Sequence, residues 1–558
     1  MKTKIYLIST IFIVLLSACE DDFLEKTPLD GPADVNFLQN EEELSLAING
    51  VYENLWFHDI SATGQWEYIL DTTTDTSWDR NGSIFTNIGN GSHSSTDNDF
   101  ATIWGHLYTG IARCNYILEN LDRVSDVSQN VLDQSEGQVR FLRAYWYSQL
   151  TSLWGDVPLV TSIQGLENNN TPKSSKSEVI EFILSDLEIA AQKLPETWSD
   201  RDTGRATRNA AIALQSRVAL IANDYEKVIS AASQIINSSQ YELYPDYRGL
   251  FQYEGESNSE VIFEVMFQYA VHDHRMPVSV GSRNSRANST KVPTQAMVDS
   301  YECTDGLTID ESPLYDPAKP FENRDPRLKQ SIATPGDIFL GYQFETHRDS
   351  VECWNFNVTP PERIPNQDAL NAFASFSGYC WKKMADSQDY PDFRNNSSLN
   401  FILIRYSEIL LNYAEAKIEL NQIDQSCLDA INSIRGRESV QMPAIVTGLS
   451  QAEMRKIIRR ERKIELAMEG LRLQDIRRWG IADKALSGEL YGRPNKPYSY
   501  GDQGVPVFDE DGFPNYSAYS DKLRVIEVRS FNASRDYLWP IPQSEIDINA
   551  NLEQNPGY

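Results

Sequence analysis

What the chain lacks narrows it first. It has no GK[ST] phosphate loop, no HExxH helix and no GxSxG elbow, so the short motifs of those three chemistries are missing. Basic residues are scarce: 50 Lys and Arg stand against 80 Asp and Glu, a formal charge of −30. That balance repels phosphate backbones and anionic headgroups, which argues against nucleic-acid partners and against a basic membrane-binding face. The six cysteines (19, 114, 303, 353, 380 and 427) include no CxxC pair. With Cys19 set aside for the reason given next, an odd five remain. They imply no disulfide framework, although a single pair is left open. The apolar run at the start, Ile5 to Leu16, is broken by Tyr6, Ser9 and Thr10 and is too short for a confident membrane span.

That run has another use. Lys2 and Lys4 precede it, and the small residues Ser17 and Ala18 follow it, which is the order of a secretory signal peptide over residues 1–18. Leu16-Ser17-Ala18-Cys19 further has the form of a bacterial lipobox, in which Cys19 becomes the first mature residue and its thiol carries lipid. The alternative is an ordinary signal peptide cut near Ala18, with Cys19 incidental. Lipid at Cys19 holds a protein at a membrane surface without any span. The sequence "EDD" directly after it, Glu20 to Asp22, is left without a local explanation.

The remaining 540 residues exceed one simple core, and 41% hydrophobic with 23% charged residues describes a globular chain. Several segments carry helical spacing. In "GQVRFLRAYWYSQLTSLWGDVPL" the residues Val139, Leu142, Trp146, Leu150 and Leu153 make one stripe, stopped by Gly155 before Pro158. In "SKSEVIEFILSDLEIAAQKLPE" Ser177 is placed to cap a stripe of Val179, Ile183, Leu187, Ala190 and Leu194. "ATRNAAIALQSRVALIANDYEKVISAASQIINS" reads as two helices joined at Asn223-Asp224, and "FILIRYSEILLNYAEAKIELNQ" with "SCLDAINSIRGR" repeats the paired form. Such hairpins cannot bury their apolar stripes alone, so neighbouring pairs should stack. Between them lie stretches that read as loops: 57–100, 272–292, 310–320, 355–366 and 487–516. "SEVIFEVMFQYA" reads as a strand.

Particular strings then carry a resemblance. "CEDDFLEKTP", "IWGHLYTGIARCNYIL", "EGQVRFLRAYWYSQLTSLWGDVPLV", "GRATRNAAIALQSRVAL", "NSEVIFEV", "VPTQAMVDSYECTDG", "NRDPRL", "ILIRYSEILLNYAEAKIEL", "RRERKIELAMEGLRLQDIRRWG" and "LWPIPQSEIDINANLEQNPGY" occur in this order from Cys19 to Tyr558. The chain thereby resembles the SusD/RagB family of Bacteroidetes outer-membrane nutrient-binding lipoproteins. The resemblance implies a mainly α fold, with four tetratricopeptide-like hairpins and a loop-rich subdomain with few short strands. It divides the mature chain into an N-terminal region, 19–240, and a C-terminal region, 241–558, packed as one body. It also implies that Glu20, Asp21 and Asp22 direct the lipoprotein to the outer leaflet, facing outside. The expected partners are a TonB-dependent SusC-like transporter and an oligo- or polysaccharide that the protein captures without cleaving. No cofactor and no metal follow from it.

Most charged motifs are expected to be architecture. Arg140, Arg143 and Tyr147 share a helical face and suit ion pairs within a bundle. Arg459, Arg460, Arg462, Glu465 and Glu469 run basic to acidic, against the helix dipole, so tertiary partners must compensate. Trp539, Pro540 and Pro542 should pin the C-terminus, and Tyr301 reads as structural.

A glycan needs flat apolar platforms with amides, carboxylates or guanidinium groups beside them. "DTTTDTSWDRNGS" offers Trp78 as platform and Asp75, Asp79, Arg80 and Asn81 as hydrogen-bonding groups. The alternative is that Trp78 packs over a neighbouring helix. Trp66 and Trp354 are second-rank platforms. "VHDHRM" adds His272 and Arg275 as ligand contacts, with a metal on the HxH spacing as the weaker reading. Competing functions are a surface glycoside hydrolase, whose paired carboxyls sequence spacing does not reveal, a peptide-binding member of the same family, and a purely structural adaptor.

Overall fold

The computed structural model describes residues 37–57, 64–164, 170–495, 500 and 504–558. The expected signal segment 1–18, lipidated Cys19 and the acidic Glu20 to Asp22 lie outside them. Helices dominate: α1 (Glu41–Glu53), α2 (Asn98–Asn120), α3 (Gln129–Trp154), α4 (Lys176–Lys193), α5 (Arg208–Ile221), α6 (Tyr225–Ser238), α7 (Tyr406–Glu419), α8 (Gln425–Arg435), α9 (Gln451–Glu465) and α10 (Arg472–Arg478). Short strands accompany them: β1 (Ser77–Asp79), β2 (Val261–Val265), β3 (Lys291–Pro293), β4 (Ile338–Phe339), β5 (Tyr342–Gln343), β6 (Glu352–Asn355), β7 (Glu362–Pro365), β8 (Phe401–Arg405), β9 (Gly488–Pro494) and β10 (Leu523–Arg529). The class is mainly α, as expected.

Consecutive helices from α2 to α6 pack side by side, each stripe buried against the next. The stack then skips about the insertion that carries most strands: α6 packs on α7, and α7 is flanked by α8 and α9. The α3 stripe of Val139, Leu142, Trp146, Leu150 and Leu153 is buried, and the helix ends at Gly155, whose φ of 77° is open to glycine without strain. The turn between α5 and α6 falls at Asn223, φ 58°, and Asp224 caps α6 by accepting from the Lys227 N–H. The α4 cap is Ser175, not the expected Ser177. Glu178 lies three residues on, so its carboxylate reaches back to the Ser175 N–H while the Ser175 hydroxyl accepts from the Glu178 N–H.

"FILIR" at 401–405 is a strand, not the start of a helix. Its five residues are buried and pair antiparallel with Val261–Val265, so a continuous apolar run is satisfied on both faces. Strands also lie within or reach into four of the stretches that read as loops, 57–100, 272–292, 355–366 and 487–516. β6 and β7 pair antiparallel in a four-stranded sheet of order β7-β6-β5-β4, β9 pairs with β10, and β1 with β3. One apolar cluster runs from Leu38 to Leu552 and draws on both sides of residue 240.

The charged motifs are architecture. Asp186 accepts from Arg140 and Arg143 at 2.7–2.9 Å. Glu465 is gripped by Arg405, Arg437 and Arg327, and Glu469 by Arg405 and Lys383. Arg462 meets Asp475, Arg460 meets Glu302, and Arg459 meets Asp511. These tertiary carboxylates and guanidinium groups compensate the reversed charge order along α9. Trp539 packs edge-on against Trp154, whose indole N–H donates to the Pro540 carbonyl at 2.7 Å, which secures the C-terminal segment.

Candidate functional site

The segment expected to be an exposed binding loop is core. From Gly64 to Asp79 every described residue is buried. Trp66 is 2% and Trp78 7% exposed, so neither is a surface platform. Trp78 lies in β1 opposite Val292 and stacks on Phe376 at 5.8 Å, which is the packing alternative. Asp75 is held by Lys463 and Arg472, each at 2.9 Å, and against its burial their charges keep its carboxyl well below the usual range. Asp79 forms a buried pair with Lys291 at 2.8 Å. The threonines and aspartates that made this stretch look like a loop are answered from far along the chain. Arg529 donates to the carbonyls of Thr74 and Thr72, and Trp381 donates to Ser77 Oγ. Gly470, φ 79°, lets α9 and α10 close on it, since an added Cβ would lie 2.1 Å from the Glu67 carbonyl oxygen.

Arg80 and Asn81 do reach the surface. Arg80 donates to the Phe373 carbonyl at 2.5 Å and to the Asn288 carbonyl at 3.1 Å, and Asn81 is exposed. His272 stacks on Trp56 with ring centroids 3.7 Å apart, whereas His274 is buried, its Nδ1 accepting from the Met276 N–H. The two rings serve different contacts. Arg275 donates to Asn395 Oδ1 at 3.3 Å.

Of the three expected tryptophans only Trp354 is open, at 40%. It sits in β6, where Cys353 and Asn355 turn inward and Glu352 and Trp354 outward. Register aligns it with Arg363 of β7, and the Arg363 guanidinium lies 5.3 Å from the indole centroid. On the other side Tyr342 faces Asn355, which sets Gln343 beside Trp354; the Trp354 N–H donates to Gln343 Oε1 at 3.3 Å. Gln343 in turn faces Ile338, 61% exposed. Ile338, Gln343, Trp354 and Arg363 therefore form one cross-strand row on the outward face of a small sheet. Phe356 and Val358, just past the strand's end, are also exposed. Asn366 ties this sheet to the next segment, donating to the carbonyls of Glu345 and Ser350 while accepting from Asn284. That segment leads to Phe373, 62% exposed, and half-buried Phe376.

The sequence reading missed Ile338, Gln343, Arg363 and Phe373. No local signal names the first three, because only strand register brings them beside Trp354.

Comparison with known proteins agrees with this architecture. Residues 251–558 match the model described as SusD family, and residues 22–220 match the one described as "Starch-binding associating with outer membrane". The chain belongs to the SusD family. Among curated relatives, SusD-like protein P2 of Formosa agariphila is 26% identical over the full length of both chains, and a SusD-like protein of Bacteroides ovatus is 23% identical over 100% of this chain and 98% of its own. Among solved structures, a SusD-like carbohydrate binding protein from Bacteroides fragilis superposes with a TM-score of 0.81 at 28% identity, covering 93% of this chain and 100% of the other. Surface glycan-binding protein A from Bacteroides thetaiotaomicron, in complex with laminarihexaose, shares the fold with a TM-score of 0.66 at 22% identity, over 92% and 99% of the two chains. No helix among the described residues is long and apolar enough to cross a membrane.

Proposed function

We propose that the chain is a non-catalytic lipoprotein of the outer membrane that binds an oligo- or polysaccharide at the cell surface and passes it to a TonB-dependent SusC-like transporter. The observation that carries this reading is the exposed row Ile338–Gln343–Trp354–Arg363. An exposed indole suits the apolar face of a pyranose, and the Gln343 amide and Arg363 guanidinium beside it suit its hydroxyls. The carbohydrate-binding title of the Bacteroides fragilis structure supports the ligand class. The match of residues 22–220 supports the membrane, and Leu16 to Cys19 followed by three acids supports lipid attachment and outward orientation.

Two of the acids that burial weakens most lie away from any surface. The Glu67 and Asp71 carboxyls are each pushed up to about 7 by burial, but both lie inside the core. Glu67 accepts from the Tyr145 hydroxyl there. A hydrolytic acid must face a glycosidic bond with its partner carboxylate across it.

Affinity gels cast with a panel of polysaccharides test this reading. The purified protein should be retarded by at least one of them, without release of reducing ends. Retardation by none removes the glycan; sustained turnover that one carboxylate substitution abolishes establishes a hydrolase instead. In cells, Cys19→Ser should lose labelled lipid and surface protease sensitivity together.

A further inference from the structure

Beside the Trp354 sheet lies a group of arginines held together without ion pairs. Arg80 and Arg283 meet at Asn288: Arg80 donates to its carbonyl at 3.1 Å and Arg283 to its side-chain oxygen at 2.8 Å. Arg80 and Arg524 lie over the Phe376 ring, with guanidinium carbons 5.1 and 4.9 Å from its centroid. Arg394 reaches the same loop, donating to the Arg286 carbonyl at 3.0 Å. Arg80, Arg283 and Arg524 thus gather around Phe373, Phe376 and Asn288, with Arg394 on the adjoining loop. Among the described residues none of these four is ion-paired to a carboxylate within 4.0 Å, whereas Arg327, Arg405, Arg437, Arg462 and Arg478 hold two or more each.

Buried Arg324 is likewise satisfied by carbonyls and a ring face, but Arg80, Arg283 and Arg524 reach the surface together in a chain with thirty more acids than bases. The two carboxylates that act on this group are engaged elsewhere. Asp79 pairs with Lys291, and Asp368 accepts from the backbone N–H of Arg283 and from the Asn284 amide. Burial first, and Arg283 after it, lowers the proton affinity of Arg80; burial first, and Arg493 after it, does the same to Arg524. Holding them together costs free energy that a bound anion would recover, because charge-assisted, bidentate bonds to an oxyanion are what guanidinium planes make best. The phenylalanine faces between them are apolar and flat, so the complementary ligand carries both ring faces and anionic groups.

We propose that this arginine-lined surface binds the carboxylate or sulfate groups of an anionic polysaccharide, which makes the ligand of this protein an acidic glycan and not a neutral one. The inference rests on the glycan reading above and adds the charge of the substrate. Polygalacturonate supplies the carboxylate source and a sulfated galactan the sulfate source; laminarin is the neutral control. Affinity gels and titration calorimetry with the full mature chain should show binding to one or both acidic polymers, weakening as salt is raised. R283Q and R524Q should each weaken that binding by about tenfold while leaving the unfolding midpoint in place. Retention of polygalacturonate alone identifies uronate recognition, and of the galactan alone sulfate-ester recognition. Retention of laminarin with neither acidic polymer overturns the inference and leaves the glycan reading standing. Retention of no polymer overturns both. Acidic-polymer binding untouched by both substitutions would place the anion elsewhere and also overturn the inference.

Discussion

Arg363 stands across the β6–β7 pair from Trp354, its guanidinium 5.3 Å from the indole centroid. The ion partner of Arg363 is Glu352 on the neighbouring strand at 3.6 Å, and Trp354 beside it stays 40% exposed. Trp354→Ala should therefore reduce glycan affinity by about 1–3 kcal/mol, the range for an aromatic stacking platform. Because Trp354 is on the surface, the unfolding midpoint should stay within about 0.5 kcal/mol of the parent. Calorimetry and urea denaturation check the two halves, and unchanged affinity would remove Trp354 from the site.

Trp78 should behave in the opposite way. Its indole fills a pocket made by Phe376, Val292 and Leu490, so Trp78→Ala leaves a cavity and should destabilise by about 3–5 kcal/mol. Its Nε1 has no hydrogen-bond partner among the described residues, so Trp78→Phe sacrifices no bond and should keep most of the stability. Urea midpoints for the two variants test this, and an Ala variant as stable as the parent would refute the packing.

Trp78 also marks where sequence reading stopped. The helices were legible because their periodicity, caps and stops are local: Gly155, Asn223 and Asp224 act within a few residues of the ends they define. The family was legible because collinear strings carry it. The stretch 70–79 was misread because polar composition signals a loop only if nothing distant satisfies it. Here Arg472 and Arg529, roughly four hundred residues on, supply the charges and donors that let Asp75 and the Thr72 and Thr74 carbonyls be buried. Conversely, Trp354 was legible as an aromatic without a helical role, but its partners Gln343 and Ile338 depend on strand register.

Glu465 connects this burial to acid stability. Against the desolvation that would raise it, Arg437, Arg405 and Arg327 hold its carboxyl well below the usual range. A depressed folded value means that the stabilisation is complete above the unfolded value near 4.5 and is lost as pH falls below it. Glu465→Gln leaves three guanidinium groups short of a charge and should cost about 3–5 kcal/mol at neutral pH. Its urea midpoint should then decline less steeply than the parent's on acidification. Parallel declines in the two proteins would show that Glu465 does not drive the acid limb.

Glu67 works with the opposite sign. Burial pushes its carboxyl from 4.5 up to about 7, although the Tyr145 hydroxyl that donates to it pulls the other way. The folded state therefore prefers the neutral acid. Stability is complete below about pH 4.5 and falls as pH rises through 7, by about 3 kcal/mol in all for a fully buried group shifted this far. Glutamine keeps an oxygen that accepts from Tyr145 and has no proton to lose, so Glu67→Gln should flatten the decline between pH 5 and pH 8. Asp71, also pushed up to about 7 by burial, adds a second decline of the same sign. The single variant should accordingly retain part of the slope, and Glu67→Gln combined with Asp71→Asn should lose most of it. Urea midpoints across that range decide the matter: a parent whose stability does not fall from pH 5 to pH 8 would mean that both acids ionise in the core without cost.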